Sequence, residues 1–370
     1  MRHPYFELRE VDRRFWAERI DPFVPGRIFD AHRHIAEPGH VAPIPPQDRL
    51  SNWAFEVAHH ETFEQAENGY SQLFPGRAVS YLAFGFPSQG CRVEENNAYV
   101  AQGLANTPAA RVARAHSPRE CAVVAAQPRV NRAMLVMTRP DWPANKVQEL
   151  LRQPRVIGIK PYHELMPDFA GEEVSVFDFC PPEHLEVLNA VGGWLTLHLP
   201  RKERLADPAN LAEVREIRCR YPRVVLVVAH LGRSYAGRYA REGLPALCED
   251  EGILFDTSAV LNPAVHAVAL DRVGPERLLF GSDFPILYMR GRRRWEGDRY
   301  INLTSGDYSW NRDREPPEVE ATYTLYIYEA IAACIDACRQ LGFGEVELQA
   351  IFHDNARRIV DRLLAEKVNW

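Results

Sequence analysis

No apolar run in this sequence approaches the roughly 18 residues needed to cross a bilayer. The opening MRHPYFELREVDRRFW has no apolar core of the kind a signal peptide carries, so it is read as a non-secreted, cytoplasmic chain. Basic residues are not in excess: the formal net charge is −6, which argues against nucleic acid or an anionic membrane as the partner of the whole protein. Cysteine is sparse. The seven are odd in number and scattered, and only Cys334 and Cys338 stand close, at helical i,i+4 spacing, where packing is the ordinary reason. That pattern reads as reduced thiols rather than a disulfide framework. Repeats and low-complexity tracts are also missing.

What is present is a long, apolar-rich chain, 370 residues with 46% hydrophobic content. Short β-branched runs recur along it: RIFDAH (27–32), AVSYLAFGF (78–86), RAMLVMT (132–138), VIGIK (156–160), WLTLH (194–198), VVLVVAH (224–230), ILFDTS (253–258) and RLLFGSD (277–283). Several are almost continuously apolar, as strands covered on both faces must be. Between most of them lie stretches with helical spacing, started by Pro or Asn and stopped by Gly or Pro. Eight strands alternating with helices predict an α/β fold, a distorted (β/α)8 TIM-type barrel. The expected organisation is one barrel domain over 1–370, with a helical arm at 1–24 and closing helices at 318–370. Two connections are unusually long, 35–77 after the first strand and 285–317 after the eighth. Both fall where βα loops build the active face of such barrels.

The strand ends carry the chemistry. FDAHRH ends the first strand with His32 and His34, two residues apart and so on one face of a strand. A metal-ligand pair and a polar strand end open to water are both consistent with that stretch alone. The fourth strand ends in Lys160, the fifth in His198, the sixth in His230 and the eighth in Asp283. In a (β/α)8 barrel these ends converge on one mouth. Imidazoles plus one carboxylate, with a position left for water, form a ligand set of the catalytic zinc type.

Taken in order, DAHRH, LTLHLP, VVAHLG, LLFGSDFP and HDNARRI resemble the amidohydrolase superfamily, and within it the amidohydrolase-2 branch of decarboxylases, lactonases and hydratases. The resemblance spans about 27–365. It implies a divalent metal, most often one Zn2+ with Mn2+ as the alternative, held by His32, His34, His198 and Asp283, with His230 beside it as general acid/base or carbonyl polariser. On that reading Asp283 takes the proton of an attacking water and returns it to the leaving group. Lys160 is ambiguous. It either serves the substrate or, carbamylated, bridges a second metal, as in binuclear members of the superfamily. The expected activity is hydrolysis of a C–O or C–N bond in a small, carboxylate-bearing molecule. The alternatives are non-oxidative decarboxylation on the same site and a metal- or ligand-binding protein without catalysis.

Candidate substrate groups are Lys160, Tyr162, Arg201 and Arg233, with His163 beside them, because arginine forks suit carboxylates. Surface salt bridges are the competing explanation for each arginine. MRGRRRWEGDRYINLTSGDYSW mixes arginine and aromatic residues and is read as a lid or a subunit contact, not a nucleic-acid site. Asn302-Leu303-Thr304 fits a glycosylation acceptor that a non-secreted chain would leave unused. Asn355 is placed at a helix start beneath the barrel. His40, His59, His60, His116, His184, His266 and His353 read as ordinary. The expected partner is a second copy of the chain, in a homodimer.

Overall fold

The computed structural model describes residues 3–42, 53–105, 132–169, 171–367 and 370; the expectation for His116 lies outside them. Eight parallel strands run in chain order around one sheet: β1 Arg27–His34, β2 Ala78–Phe84, β3 Arg132–Thr138, β4 Val156–Pro161, β5 Trp194–Leu197, β6 Val225–Val228, β7 Ile253–Asp256 and β8 Leu278–Leu279. Each pairs with the next in sequence. The ring closes beyond the short β8. Ala31 N–H donates to Phe280 O at 2.8 Å, Asp283 N–H to His32 O at 2.9 Å and His34 N–H to Phe284 O at 3.1 Å. This is the (β/α)8 barrel expected from the alternating pattern.

The core has two layers. Inside the barrel, Phe29, Ala31, Leu82, Phe84, Leu135, Ile157, Trp194 and Leu279 pack together. The helix Asn355–Glu366 plugs the floor with Ala356, Val360 and Leu363. Asn355 holds that helix by donating to Pro275 O and Leu278 O, both at 2.9 Å, which is the place its sequence context suggested. Outside, helices cover the sheet with a second, larger apolar layer.

A bulge in β1 aims the histidines. Asp30 pairs with Tyr81 but Arg33 pairs with Ala83, so two residues of β1 face one of β2. Phe29 and Ala31 point into the barrel while Ile28 packs outside. Strict alternation would send His32 and His34 outside with Ile28. The extra residue reverses the parity, and both rings meet the inward Phe84 at 4.9 Å. Asp30 Oδ1 holds the bulge by accepting from His32 N–H at 3.0 Å and Ser282 N–H at 2.8 Å. Arg33 faces outward, paired with buried Glu61 and stacked on Tyr70 and Phe284 at 4.6 and 4.8 Å.

The long connections differ from plain loops. The second contains an antiparallel hairpin, β9 Gly291–Glu296 and β10 Arg299–Thr304. The closing helices expected over 318–370 begin with two, Pro317–Glu320 and Tyr326–Gln340, separated where Leu325 pairs with Arg290 as a β-bridge. In the arm expected at 1–24 the helix begins at Glu10. The segment before it docks on its own barrel, with His3 Nε2 3.0 Å from Glu61. Cys334 and Cys338 are buried one turn apart on a packed helix.

Candidate metal centre

At the carboxyl ends of the strands a pocket opens, lined by His34, His198, His230 and Asp283 among others. Its floor is a fixed set of nitrogens and oxygens. His32 Nδ1 donates to Asp256 Oδ2 at 2.8 Å. His34 Nδ1 donates to Gly85 O at 2.9 Å. A carboxylate and a carbonyl only accept, so both rings carry their proton on Nδ1 and present Nε2 as a lone pair. Those two Nε2 atoms lie 3.5 and 3.3 Å from Asp283 Oδ1. His32 Nε2 is buried and has no hydrogen-bond partner. Three electron-pair donors thus converge within 4.8 Å of one another with no proton among them, an arrangement that repels itself unless a cation sits between. The residues present fit a divalent metal.

Asp256 organises the site. Besides His32 it accepts from His230 N–H at 2.9 Å, Ser258 N–H at 3.2 Å and the Ser258 hydroxyl. Burial raises its pKa, but His32 and these donors outweigh burial and hold it ionised, well below the usual carboxylate range. His230 Nδ1 donates to Ser258, 3.1 Å from its carbonyl and 2.8 Å from Oγ, leaving Nε2 for the pocket. Burial favours the neutral form of the His32, His198 and His230 rings. The His32 pKa is pushed down to about 4, and those of His198 and His230 are lowered too. Asp283 is held low despite burial by His230 and by its contact with His34. His230 and Asp283 both sit at positive φ, 56° and 54°, a left-handed conformation that side chains adopt at some cost.

The other expected residues are placed unequally. His198 stands across the pocket with its ring 5.3 Å from that of His230, outside the tightest donor group, and its Nδ1 has no partner. Lys160 is fully buried, its Nζ without a hydrogen bond and 4.6 Å from the Tyr162 ring. Burial lowers its pKa to about 8, against the pull of Asp256, Asp283 and Glu164. Tyr162 and Arg233 line the pocket, and Arg233 pairs with Glu172 at 2.8 Å. Arg201 turns outward to Glu213 and Asn210. His163 is buried behind His198, the rings 5.9 Å apart. Sequence reasoning passed over Asp256 and Ser258, although FDTS is a strand end like the others. It also passed over Glu164, Arg204 and Tyr235, which line the pocket from the connections after β4, β5 and β6. Arg293 and Tyr300, in the segment read as a lid or a subunit contact, line it from the connection after β8.

A closed (β/α)8 barrel with convergent histidines and an aspartate at its strand ends belongs to the class of barrels built around a divalent metal. The family is the amidohydrolases: the amidohydrolase-2 family model matches residues 29–362, and the chain belongs to that family. Among solved structures the fold resembles an amidohydrolase from Burkholderia multivorans with bound HEPES, at 14% identity and TM-score 0.54, covering 90% of this chain and 99% of that one. It also resembles a dihydroxybenzoic acid decarboxylase from Polaromonas sp. JS666 with bound manganese and the inhibitor 2-nitroresorcinol, at 12% identity and TM-score 0.52, covering 94% and 100%. A third is a 2,6-dihydroxybenzoate decarboxylase complexed with 2,6-dihydroxybenzoate, at 13% identity and TM-score 0.51, covering 91% and 99%. At such identities the likeness concerns the fold. No curated protein matches the sequence. Among the described residues no helix is long and apolar enough to cross a membrane.

Proposed function

We propose that the protein is a metal-dependent hydrolase acting on a C–O or C–N bond of a small carboxylate-bearing substrate. The observation that carries this is the pair of Nε2 lone pairs facing Asp283 Oδ1, at 3.5 and 3.3 Å, at the floor of an open pocket. His32, His34 and Asp283 would hold one metal, most readily Zn2+ or Mn2+, with His198 closing the set from the facing strand. Bound there, the metal supplies a Lewis acid that brings the pKa of water to about 7 and polarises a carbonyl. Asp283 takes the proton of the attacking water and returns it to the leaving group. His230 meets the substrate through Nε2, because Nδ1 is committed to Ser258. As imidazolium it donates to the developing oxyanion; as neutral imidazole it accepts a proton. Asp256 orients the His32 ring and holds the His230 backbone amide, while Ser258 orients the His230 ring; Asp256 acts as a positioning residue. Lys160, buried beside Tyr162 with no hydrogen-bond partner, serves the substrate side.

Decarboxylation on the same site is the second reading. The rings of Phe55, Phe86 and Tyr162 around the mouth suit a planar aromatic acid, and two proteins of this fold are decarboxylases of such acids. The test is metal content per chain by elemental analysis, with His32→Ala beside the wild type, followed by product analysis on small aromatic acids, lactones and amides. About one metal, lost in the variant, and ring opening or amide cleavage support the hydrolase. Release of CO2 moves the assignment to decarboxylase. No metal after incubation with zinc or manganese refutes both.

A further inference from the structure

The outer half of the pocket holds two arginines that the hydrolytic centre does not use. Arg293, on β9, is only 6% exposed. Its Nε donates to Asn302 Oδ1 at 2.9 Å and one terminal nitrogen to Ala259 O at 2.8 Å. Arg204 stands in the short turn Arg204–Ala206 after β5, at φ 54°, and its Nε is buried without a partner. Among the described residues no carboxylate lies within ion-pair distance of either guanidinium. The pocket's own carboxylates, Glu164 and Asp283, are no exception. The neighbouring arginines are treated differently: Arg233 has Glu172 at 2.8 Å and Arg201 has Glu213 at 3.0 Å.

Both unpaired guanidiniums lie over the same two rings. Arg293 Cζ is 4.7 Å from the Tyr300 ring and 5.3 Å from Tyr235. Arg204 Cζ is 5.8 Å from Tyr300 and 5.1 Å from Tyr235. Tyr235 in turn lies 6.1 Å from the His230 ring, so its ring stands between the cations and the catalytic side. Cation–π contacts soften the desolvation of a guanidinium but leave its fork unfilled. For buried Arg293 the lack of an acid partner is costly, and a second cation, the partly buried Arg204, on the same wall adds repulsion. An anionic group of the ligand between them relieves both penalties through charge-assisted bonds.

We propose that Arg204 and Arg293 form a subsite for a second carboxylate of the substrate, about one aromatic ring beyond the centre at His32, His34 and Asp283. The substrate is then a small planar dicarboxylate, read by the β9–β10 hairpin and the β5 connection. The subsite rests on the hydrolytic reading only for which end of the ligand reacts; its own evidence is the unpaired arginine pair.

Calorimetric titration of the metal-loaded protein with benzoate, isophthalate and terephthalate tests it, using Arg204→Gln, Arg293→Gln and Arg293→Lys beside the wild type. One of the two dicarboxylates should bind about tenfold tighter than benzoate. Either glutamine variant should erase that preference and move benzoate less than about twofold, the loss expected for one charge-assisted fork. Arg293→Lys should retain part of it, and Arg204→Gln, at a less buried position, keeps the test open if Arg293→Gln fails to fold. Equal binding of mono- and dicarboxylates, or a preference that survives both glutamine variants, overturns the subsite. Tighter binding of 3-phosphonobenzoate than of isophthalate overturns the carboxylate assignment. Titration after chelation separates the two readings. If the metal centre is wrong, chelation changes nothing while the glutamine variants still act; if the subsite is wrong, chelation weakens binding and the variants do not.

Discussion

Replacing Asp256 by Asn tests whether the metal site depends on a carboxylate that would never touch the metal. The side chains are nearly isosteric, so packing is preserved. Oδ1 would still accept from the His230 and Ser258 amides, now at 2.9 and 3.2 Å. The atom facing His32 Nδ1 at 2.8 Å would become an NH2 group. Two donors cannot share that contact, so His32 is driven to carry its proton on Nε2, the nitrogen aimed at Asp283. A protonated Nε2 cannot ligate. Loss of such an orienting carboxylate typically weakens metal binding 10- to 100-fold, or about 1.4–2.7 kcal/mol. Competition with a chromophoric chelator gives the affinity, and circular dichroism checks the fold. Ser258→Ala keeps the carboxylate and should move the affinity far less. A folded Asp256→Asn protein that binds zinc within about threefold of wild type would refute the assignment of His32 as a ligand through Nε2, since about tenfold is the smallest loss expected.

Three further outcomes follow from the same geometry. A Cβ on Gly281 would lie 2.7 Å from His32 Cβ and 2.9 Å from Ser258 Cβ, so Gly281→Ala should cost about 1–3 kcal/mol by overpacking and also weaken metal binding. Melting and chelator competition read both, and an unchanged variant would contradict the close approach of the segment after β8 to β1. Chelated protein should lose stability as pH falls from about 6.5 to about 4. Over that window the unfolded chain protonates His32 while the fold, which lowers its pKa from 6.5 to about 4, does not. His32 alone accounts for roughly 3 kcal/mol, with His198, His230 and His266 acting in the same direction. Urea titrations at pH 7 and 5 measure it, and equal midpoints would show that these histidines are not buried neutral. Arg33→Met strands buried Glu61 between His3 and Tyr288 and should cost about 3–5 kcal/mol. Adding Glu61→Gln should recover part of the loss in denaturation experiments, and full additivity would mean the pair is not coupled.

The barrel was legible in the sequence because its signal is local. Eight apolar runs separated by helical spacing admit few other arrangements, and each of them holds a strand of the barrel, the eighth only over Leu278–Leu279. Strand ends were legible for the same reason, so His32, His34, His198, His230 and Asp283 could be named from position alone. Which way those side chains face was a different matter. Period-2 alternation says that His32 and His34 share a face, but not that it is the inner one. That was decided by the bulge between Asp30 and Arg33, which exists only against β2 and is held by Ser282 from the other edge of β1, where the ring closes. Asp256 was invisible as the hub because its partners come from β1 and from the residues after β6. In HLPRKER, Arg201 and Arg204 are equivalent to any reading of the sequence. The fold separates them by supplying Glu213 to Arg201 and, among the described residues, tyrosine rings but no carboxylate to Arg204. Local pattern set the elements and the order of their ends; the partner that each charged side chain finds depends on residues distant in the chain, and only tertiary packing chose it.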